Sequence, residues 1–428
     1  MKVLMFGWEF PPIRTGGLGT ACHDLCKGLS NQACKITFVM PSAPNSSPDF
    51  VRLVGIPHLE MKPVSSLLSP YQTINSYNRA WNSSSEKSLY GEHLLEEVKR
   101  FTAGAANLAK SIPHDIIHCH DWMTYGAGIA ATKASGKPLV THVHAIEQDR
   151  TAGHPNPEIE HFEKQGLDAA SAIIANSIWT RNNILRSYNV NPNNVHVVHW
   201  GIAKNNPAYH TNYKSPLTKT QKMVVYAGRM TVQKGPDYFV AAAKLVAEKY
   251  KNASFLMVGG GDMLASCIQN VASLGLQDRF LFTGAVPQEQ VYKAFQTADL
   301  FVMPSVSEPF GLVALEALKN GAPVLLSKQS GVAEVVTHCL TADFWDVKDI
   351  ASKILGVLNH KPLWESLKQN GTKEVEKFNL DDPARKVMDV YDRLLREKTY
   401  IPEEVKSQKQ LAGSRMFHVQ STKKELFR

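Results

Sequence analysis

Twice along this chain, short apolar runs alternate with segments of helical periodicity. A polar stretch at 204–222, rich in Asn, Thr, Pro and Lys, separates the two series and reads as an interdomain linker. Strands alternating with helices pair in parallel, because a parallel connection needs a crossover of a dozen or more residues. In the first series the strand-like runs are Lys2–Gly7, Cys34–Met40, Ile116–His118, Pro138–His142 and Ala172–Ala175. They alternate with helical patterns at Ala21–Ser30, Glu92–Lys110, Tyr125–Ala134 and Pro157–Ala170. The second series runs Met223–Tyr226, Ser254–Val258, Phe280–Phe282, Ala298–Met303 and Val324–Leu326, between helical patterns at Asp237–Tyr250, Met263–Leu274 and Gln288–Thr297. The expected class is α/β: two doubly wound, Rossmann-like domains, 1–203 and 204–380, facing a cleft between the carboxyl ends of their sheets. A final helix, 381–398, is expected to pack back toward the first domain, followed by a basic tail at 399–428. Pro41 to about Ser88 is polar, rich in Ser and Pro and without periodicity, and reads as an excursion over the cleft.

Composition excludes several classes. The chain has 428 residues, of which 43% are hydrophobic and 20% charged, enough apolar material for two or three domains. No apolar run approaches the roughly 18–20 residues of a membrane span, so no stable membrane insertion is expected. The opening Met1-Lys-Val-Leu-Met-Phe-Gly-Trp-Glu-Phe-Pro11 is interrupted by Glu9 and reads as a first strand, not as a secretion signal. Six cysteines form no CxxC pair, which suits a reducing cytoplasm. The net charge of +8 favours an anionic ligand, but it is spread along the chain, so no nucleic-acid partner is expected.

The densest candidate site is Pro304-Ser-Val-Ser-Glu-Pro-Phe-Gly-Leu-Val-Ala-Leu-Glu-Ala-Leu-Lys-Asn-Gly321. An apolar strand precedes it, Glu308-Pro-Phe-Gly311 is a turn, and Leu312, Leu315 and Leu318 open a helix that Gly321 terminates. Such a helix N-terminus presents unpaired N–H groups and a positive dipole end, a phosphate site. Glu308 and Glu316 flank it; a carboxylate beside a sugar nucleotide accepts from hydroxyls. A solvated polar stripe of Glu316, Lys319 and Asn320 has the same pattern. Tyr226-Ala-Gly-Arg-Met-Thr-Val-Gln-Lys-Gly235 also follows a strand, and Arg229 and Lys234 could clamp a diphosphate. Arg14-Thr-Gly-Gly-Leu-Gly19 follows the first strand, but is neither a dinucleotide fingerprint nor a P-loop. His118-Cys-His-Asp-Trp122 and Thr141-His-Val-His144 are read as sugar-hydroxyl partners. Metal binding ranks below that, because no third or fourth ligand is spaced convincingly.

Taken in order, these motifs resemble the GT-B glycosyltransferases of family 4 and the glycogen (starch) synthase type, from Lys2 to about Leu395. The resemblance implies that Arg229 and Lys234, beside Gly228, grip the donor diphosphate and stabilise the leaving group. It implies that Glu316 holds the ribose and Glu308 the transferred sugar. Phe310, Gly311 and Leu312 would offer amides, the Arg14, Gly16 and Gly17 loop would close on the diphosphate, and His144 would contact the donor sugar near its anomeric carbon. Asp121 would lie toward the acceptor. Retention without metal or cofactor is implied. The favoured reaction transfers glucose from ADP-glucose or UDP-glucose to the end of an α-1,4-glucan. Alternatives are another acceptor, such as a cell-surface polysaccharide or glycolipid, and a silent sugar-nucleotide-binding protein. Two departures stand out: Arg14 where lysine is usual, and Val198-His-Trp-Gly-Ile202 where Asn-Gly is common.

Overall fold

The computed structural model describes residues 1–12, 17–56, 94–203 and 221–399. Within them the chain forms two all-parallel sheets flanked by helices. The first holds β1 (Lys2–Phe6), β2 (Lys35–Met40), β3 (Arg52–Gly55), β4 (Ile116–His120), β5 (Leu139–Val143), β6 (Ala172–Ala175) and β7 (Val195–Val197), in the order β3-β2-β1-β4-β5-β6-β7. The second holds β8 (Lys222–Ala227), β9 (Ala253–Val258), β10 (Phe280–Gly284), β11 (Leu300–Met303), β12 (Val324–Ser327) and β13 (Leu340–Ala342), in the order β10-β9-β8-β11-β12-β13. Helices on both faces explain why the central strands are unbroken apolar runs: β4, β5, β6, β11 and β12 are buried at every residue. Each fully buried Leu, Ile or Phe in those strands contributes roughly 1.5–3 kcal/mol.

In both sheets the strand order reverses beside the first strand, between β1 and β4 and between β8 and β11. At such a switch point the following loops diverge to opposite faces and leave a crevice at the carboxyl ends. The loops after β1, β4, β8 and β11 are those that carry the glycine turn, Asp121, Arg229 with Lys234, and Glu308.

Two segments join the halves. Residues 198–203 leave the first sheet, and the stretch before Asp381 returns to it. They are pressed together at Gly201, where a Cβ would lie 1.8 Å from the Asn379 carbonyl oxygen. The last helix, Asp381–Thr399, packs on the helix Gly17–Asn31, with Gly28 against Leu380 and Ala384, and buries Tyr391 fully.

The structure adds elements that periodicity did not reveal. Arg52–Gly55 pairs with β2 inside the stretch read as an excursion, and β7, β13 and the helix Ile178–Ser187 are further elements. Each of the three strands is only three or four residues long, too short to show alternation. The focal helix ends at Lys319, with Gly321 behind it at φ +83°. Residues 57–88, the linker at 204–220 and the tail from 400 lie outside the described residues.

Candidate active site

The second domain builds its part of the site from two loops that touch. Gly235 adopts φ +59°, and a Cβ there would meet the Pro304 carbonyl at 2.3 Å. Only glycine lets the Lys234 turn approach the β11 loop this closely. Val306 N–H donates to the Gln233 carbonyl and joins the two loops further. As a result Lys234 Nζ sits 2.6 Å from Glu308 Oε2, with the Ser305 hydroxyl 3.3 Å from the same oxygen. The Glu308 side chain is only 7% exposed. Burial pulls the Lys234 pKa down, opposed chiefly by the Glu308 charge. Arg229 contacts Gln233 Oε1 at 3.4 Å, which leads its guanidinium along the same loop.

Glu308 opens onto a glycine-started helix. Gly311 is the N-cap of Leu312–Lys319 at φ +104°, and no side chain caps it. Phe310 is buried, and its carbonyl accepts from Val332 N–H at 2.7 Å. Glu316, in the second turn, accepts from Gln288 Nε2 at 2.9 Å and Tyr292 OH at 3.2 Å, so its carboxylate is fixed by the neighbouring helix. An uncapped helix N-terminus of this kind can receive a phosphate, and here the Lys234–Glu308 pair precedes it and Glu316 is oriented in its second turn.

The first domain contributes the end of β5. His144 N–H donates to Asp121 Oδ1 at 2.7 Å, and its carbonyl accepts from Asn176 Nδ2 at 3.0 Å. Its Nε2 lies 2.9 Å from His120 Nδ1, and its ring stacks on Trp200 at 5.4 Å. Asp121, expected toward the acceptor, is fully buried and acts on the site through the His144 backbone. It holds φ +58° at the start of the helix Trp122–Ser135, a conformation that non-glycine residues seldom adopt. Burial pushes its carboxyl up to about 7, against the Arg150 charge and the His144 amide. Gly17 is the first residue of its helix, with open space at its Cβ position; Arg14 and Gly16 lie outside the described residues.

Several site groups escape linear reading. Arg150 is buried among Glu163 at 2.8 Å, Glu147 at 3.2 Å and Asp121 at 3.8 Å. This ion cluster holds the strand end that carries His144. Asp149 accepts from Asn183 Nδ2 at 2.8 Å and from the Ser307 hydroxyl of the other domain. The i,i+3 pair Glu147 and Arg150 was a visible signal for the first; nothing in the linear order links positions 149 and 307.

The histidines require a correction. A third ligand does have a place, because the β4–β5 register sets His120 directly opposite His142 and gathers His118 and His144 beside them. Donor atoms of His118, His120 and His142, and of Cys22, His120 and His144, lie within 4.8 Å of one another. The rings are linked in part to one another: His118 Nε2 is 3.2 Å from His142 Nδ1 and Tyr391 OH bonds His118 Nδ1, while the buried Nε2 atoms of His120 and His142 have no hydrogen-bond partner among the described residues. The pairs 118–120 and 142–144 are stacked, at 20° and 22°, and the pair 118–142 is tilted by 32°. Burial lowers the pKa of all four, which keeps them neutral.

The two halves meet at this site. Ser177 donates to the Pro309 carbonyl, Trp179 Nε1 donates to Ser307 Oγ at 3.0 Å, and His199 stands 6.1 Å from the Phe310 ring. The carboxyl ends of both sheets therefore face one another across the expected cleft.

Residues 15–205 match the family described as Glycosyltransferase Family 4, and residues 211–374 match Glycosyl transferases group 1. An uncharacterised glycosyltransferase of Methanocaldococcus jannaschii is 27% identical over 406 residues, 91% of this chain and 98% of that protein. A D-inositol 3-phosphate glycosyltransferase of Mycolicibacterium smegmatis is 30% identical over 63% of this chain and 66% of its own length. Among solved structures, sucrose-phosphate synthase from Thermosynechococcus elongatus superposes with a TM-score of 0.73 at 19% identity, covering 92% of this chain and 99% of that one. Anabaena HepE in complex with UDP and glucose gives 0.67 at 16% identity, covering 92% and 100%. No helix among the described residues is long and apolar enough to cross a membrane. With both halves matched in order and the two facing doubly wound sheets in place, the chain belongs to the family 4 glycosyltransferases of GT-B fold.

Proposed function

We propose that this enzyme transfers glucose, with retention, from ADP-glucose or UDP-glucose to the non-reducing end of an α-1,4-glucan. The observation that carries the donor assignment is the Lys234–Glu308 pair at 2.6 Å beside the glycine-capped helix. A nucleoside diphosphate sugar matches it: phosphate for the cations and the helix N-terminus, sugar hydroxyls for Glu308, ribose hydroxyls for Glu316. Lys234 and Arg229 stabilise the diphosphate as the bond to the anomeric carbon breaks, a role that removes the need for a metal. The acceptor oxygen forms the new bond on the same face, and its proton passes to the departing phosphate. Glu308, held by Lys234, is a poor nucleophile, and Asp121 is sealed beneath His144, so front-face transfer is favoured over a glycosyl-enzyme intermediate. Six free thiols suit a cytoplasmic setting.

The glucan acceptor rests on the opening Phe6-Gly-Trp-Glu-Phe-Pro-Pro12 together with His120-Asp-Trp122 and His142-Val-His144. A second reading, a small phosphorylated acceptor, is favoured by the relatives, named for D-inositol 3-phosphate and for sucrose phosphate. Nucleotide release by the purified protein separates the two. ADP-glucose, UDP-glucose and GDP-mannose are each offered alone, with glycogen or maltooligosaccharide, and with hexose or inositol phosphates, with and without EDTA. Glycogen-dependent release that EDTA leaves unchanged is the expected result. Release that answers only to a phosphorylated acceptor selects the second reading, and tight donor binding without turnover on any acceptor refutes both.

A further inference from the structure

The loop that carries Glu308 and the strand end that carries His144 belong to different domains, and one side chain bridges them. Glu334 closes a short 3-10 turn, Gly331–Glu334. That turn is bonded into the Glu308 loop: Gly331 N–H donates to the Glu308 carbonyl at 3.0 Å and Val332 N–H to that of Phe310. Gly331 is also wedged where a Cβ would meet the Pro309 carbonyl at 2.3 Å and Ser177 Cβ at 2.4 Å. The turn and the Glu308 loop thus move as one piece.

Across the boundary, the Glu334 carboxylate takes the N–H of Ile178 at 2.9 Å and of Trp179 at 2.6 Å. These are the first two amides of the ten-residue helix Ile178–Ser187, whose third, Thr180 N–H, goes to the N-cap Ser177. A helix leaves four such donors unsatisfied, and here the other domain supplies partners for two, with the dipole aiding a carboxylate. His199 Nε2, on the interdomain crossover, lies 2.9 Å from the same carboxylate. The path to His144 is short: Thr180 Oγ1 donates to Asn176 Oδ1 at 2.7 Å, and Asn176 Nδ2 holds the His144 carbonyl. The residue after His199, Trp200, stacks on His142 and His144.

We propose that Glu334 is an interdomain latch, a positioning residue whose carboxylate on the Ile178–Ser187 helix sets Glu308 and His144 in their closed relation. The kinetic consequence rests on the donor site proposed above; the latch itself does not. Glu334 is partly exposed and makes these contacts across the boundary, outside either sheet's core, so its loss should leave each domain folded and loosen their relation.

Two measurements on Glu334→Ala and Glu334→Gln test it. In hydrogen exchange without ligand, wild type should protect the Ile178 and Trp179 amides, and Glu334→Ala should lose that protection while the β5 and β11 amides keep theirs. In turnover, kcat should fall at least about tenfold at an unchanged melting temperature, with Glu334→Gln intermediate, since small misplacements in an active site cost this much or more. Equal protection of both amides in wild type and Glu334→Ala overturns the latch, whatever the donor. Lost protection with wild-type kcat and KM leaves a joint between the domains and overturns the positioning role. Absence of turnover in wild type on every nucleotide sugar counts against the donor reading, with exchange still deciding the latch.

Discussion

Lys234 and Glu308, separated by 74 positions in sequence, form a 2.6 Å ion pair where two loops of the second sheet are pressed together. On the proposed function, an incoming diphosphate would take the ammonium while sugar hydroxyls replace it at the carboxylate.

Lys234→Ala and Glu308→Ala should each lower kcat/KM by about 10²–10³-fold, the usual size of losing one oriented transition-state contact. Circular dichroism should show both variants folded. The double variant should lose less than the product of the two single effects, because each partner orients the other. Near-wild-type turnover by either single variant would place the donor elsewhere.

Gly235→Ala should disable the same site without touching a ligand. Its left-handed backbone costs about 1–3 kcal/mol for a residue with a Cβ, and the Pro304 carbonyl at 2.3 Å adds a collision. A lowered melting temperature together with weakened nucleotide binding is expected, and unchanged values of both would contradict the loop geometry.

Asp121 gives a pH signature. Its carboxyl is raised from 3.8 to about 7 in the fold, so the folded protein holds more protons than the unfolded chain between those values. Stability from this group is therefore full below the unfolded value and lost as pH rises through about 7. Urea unfolding of wild type and Asp121→Asn across pH 4–8 should show a smaller decline with pH in the variant. Parallel curves would remove the assignment.

Glu374 shows the opposite sign. Burial alone would raise its carboxyl, but hydrogen bonds from the Thr337 hydroxyl, the His338 and Thr337 amides and the His338 ring bring it to about 2. Its stabilisation is present above the unfolded value of 4.5 and vanishes as pH falls through about 2. Glu374→Gln should lower stability at pH 7, and the gap from wild type should narrow in acid.

The architecture was largely legible, because central parallel strands such as Leu300–Met303 and Val324–Ser327 must be continuous apolar runs. Loops at strand ends located Arg229, Lys234, Glu308 and Asp121. Three- and four-residue edge strands, such as Arg52–Gly55, carry too little pattern to distinguish them from loop. The histidine array was hidden because register, not spacing, brings His120 opposite His142. Asp149 with Ser307, and Glu334 with Trp179, are products of domain docking, and such pairs leave no periodic trace.

The packing of Asp381–Thr399 on the helix Gly17–Asn31 has a bearing on synthesis. Tyr391, whose hydroxyl reaches His118, is 273 positions downstream of it. On the ribosome, the first sheet lacks this covering helix until residues 381–399 have been made. The first domain therefore cannot complete its packing before the second has been translated.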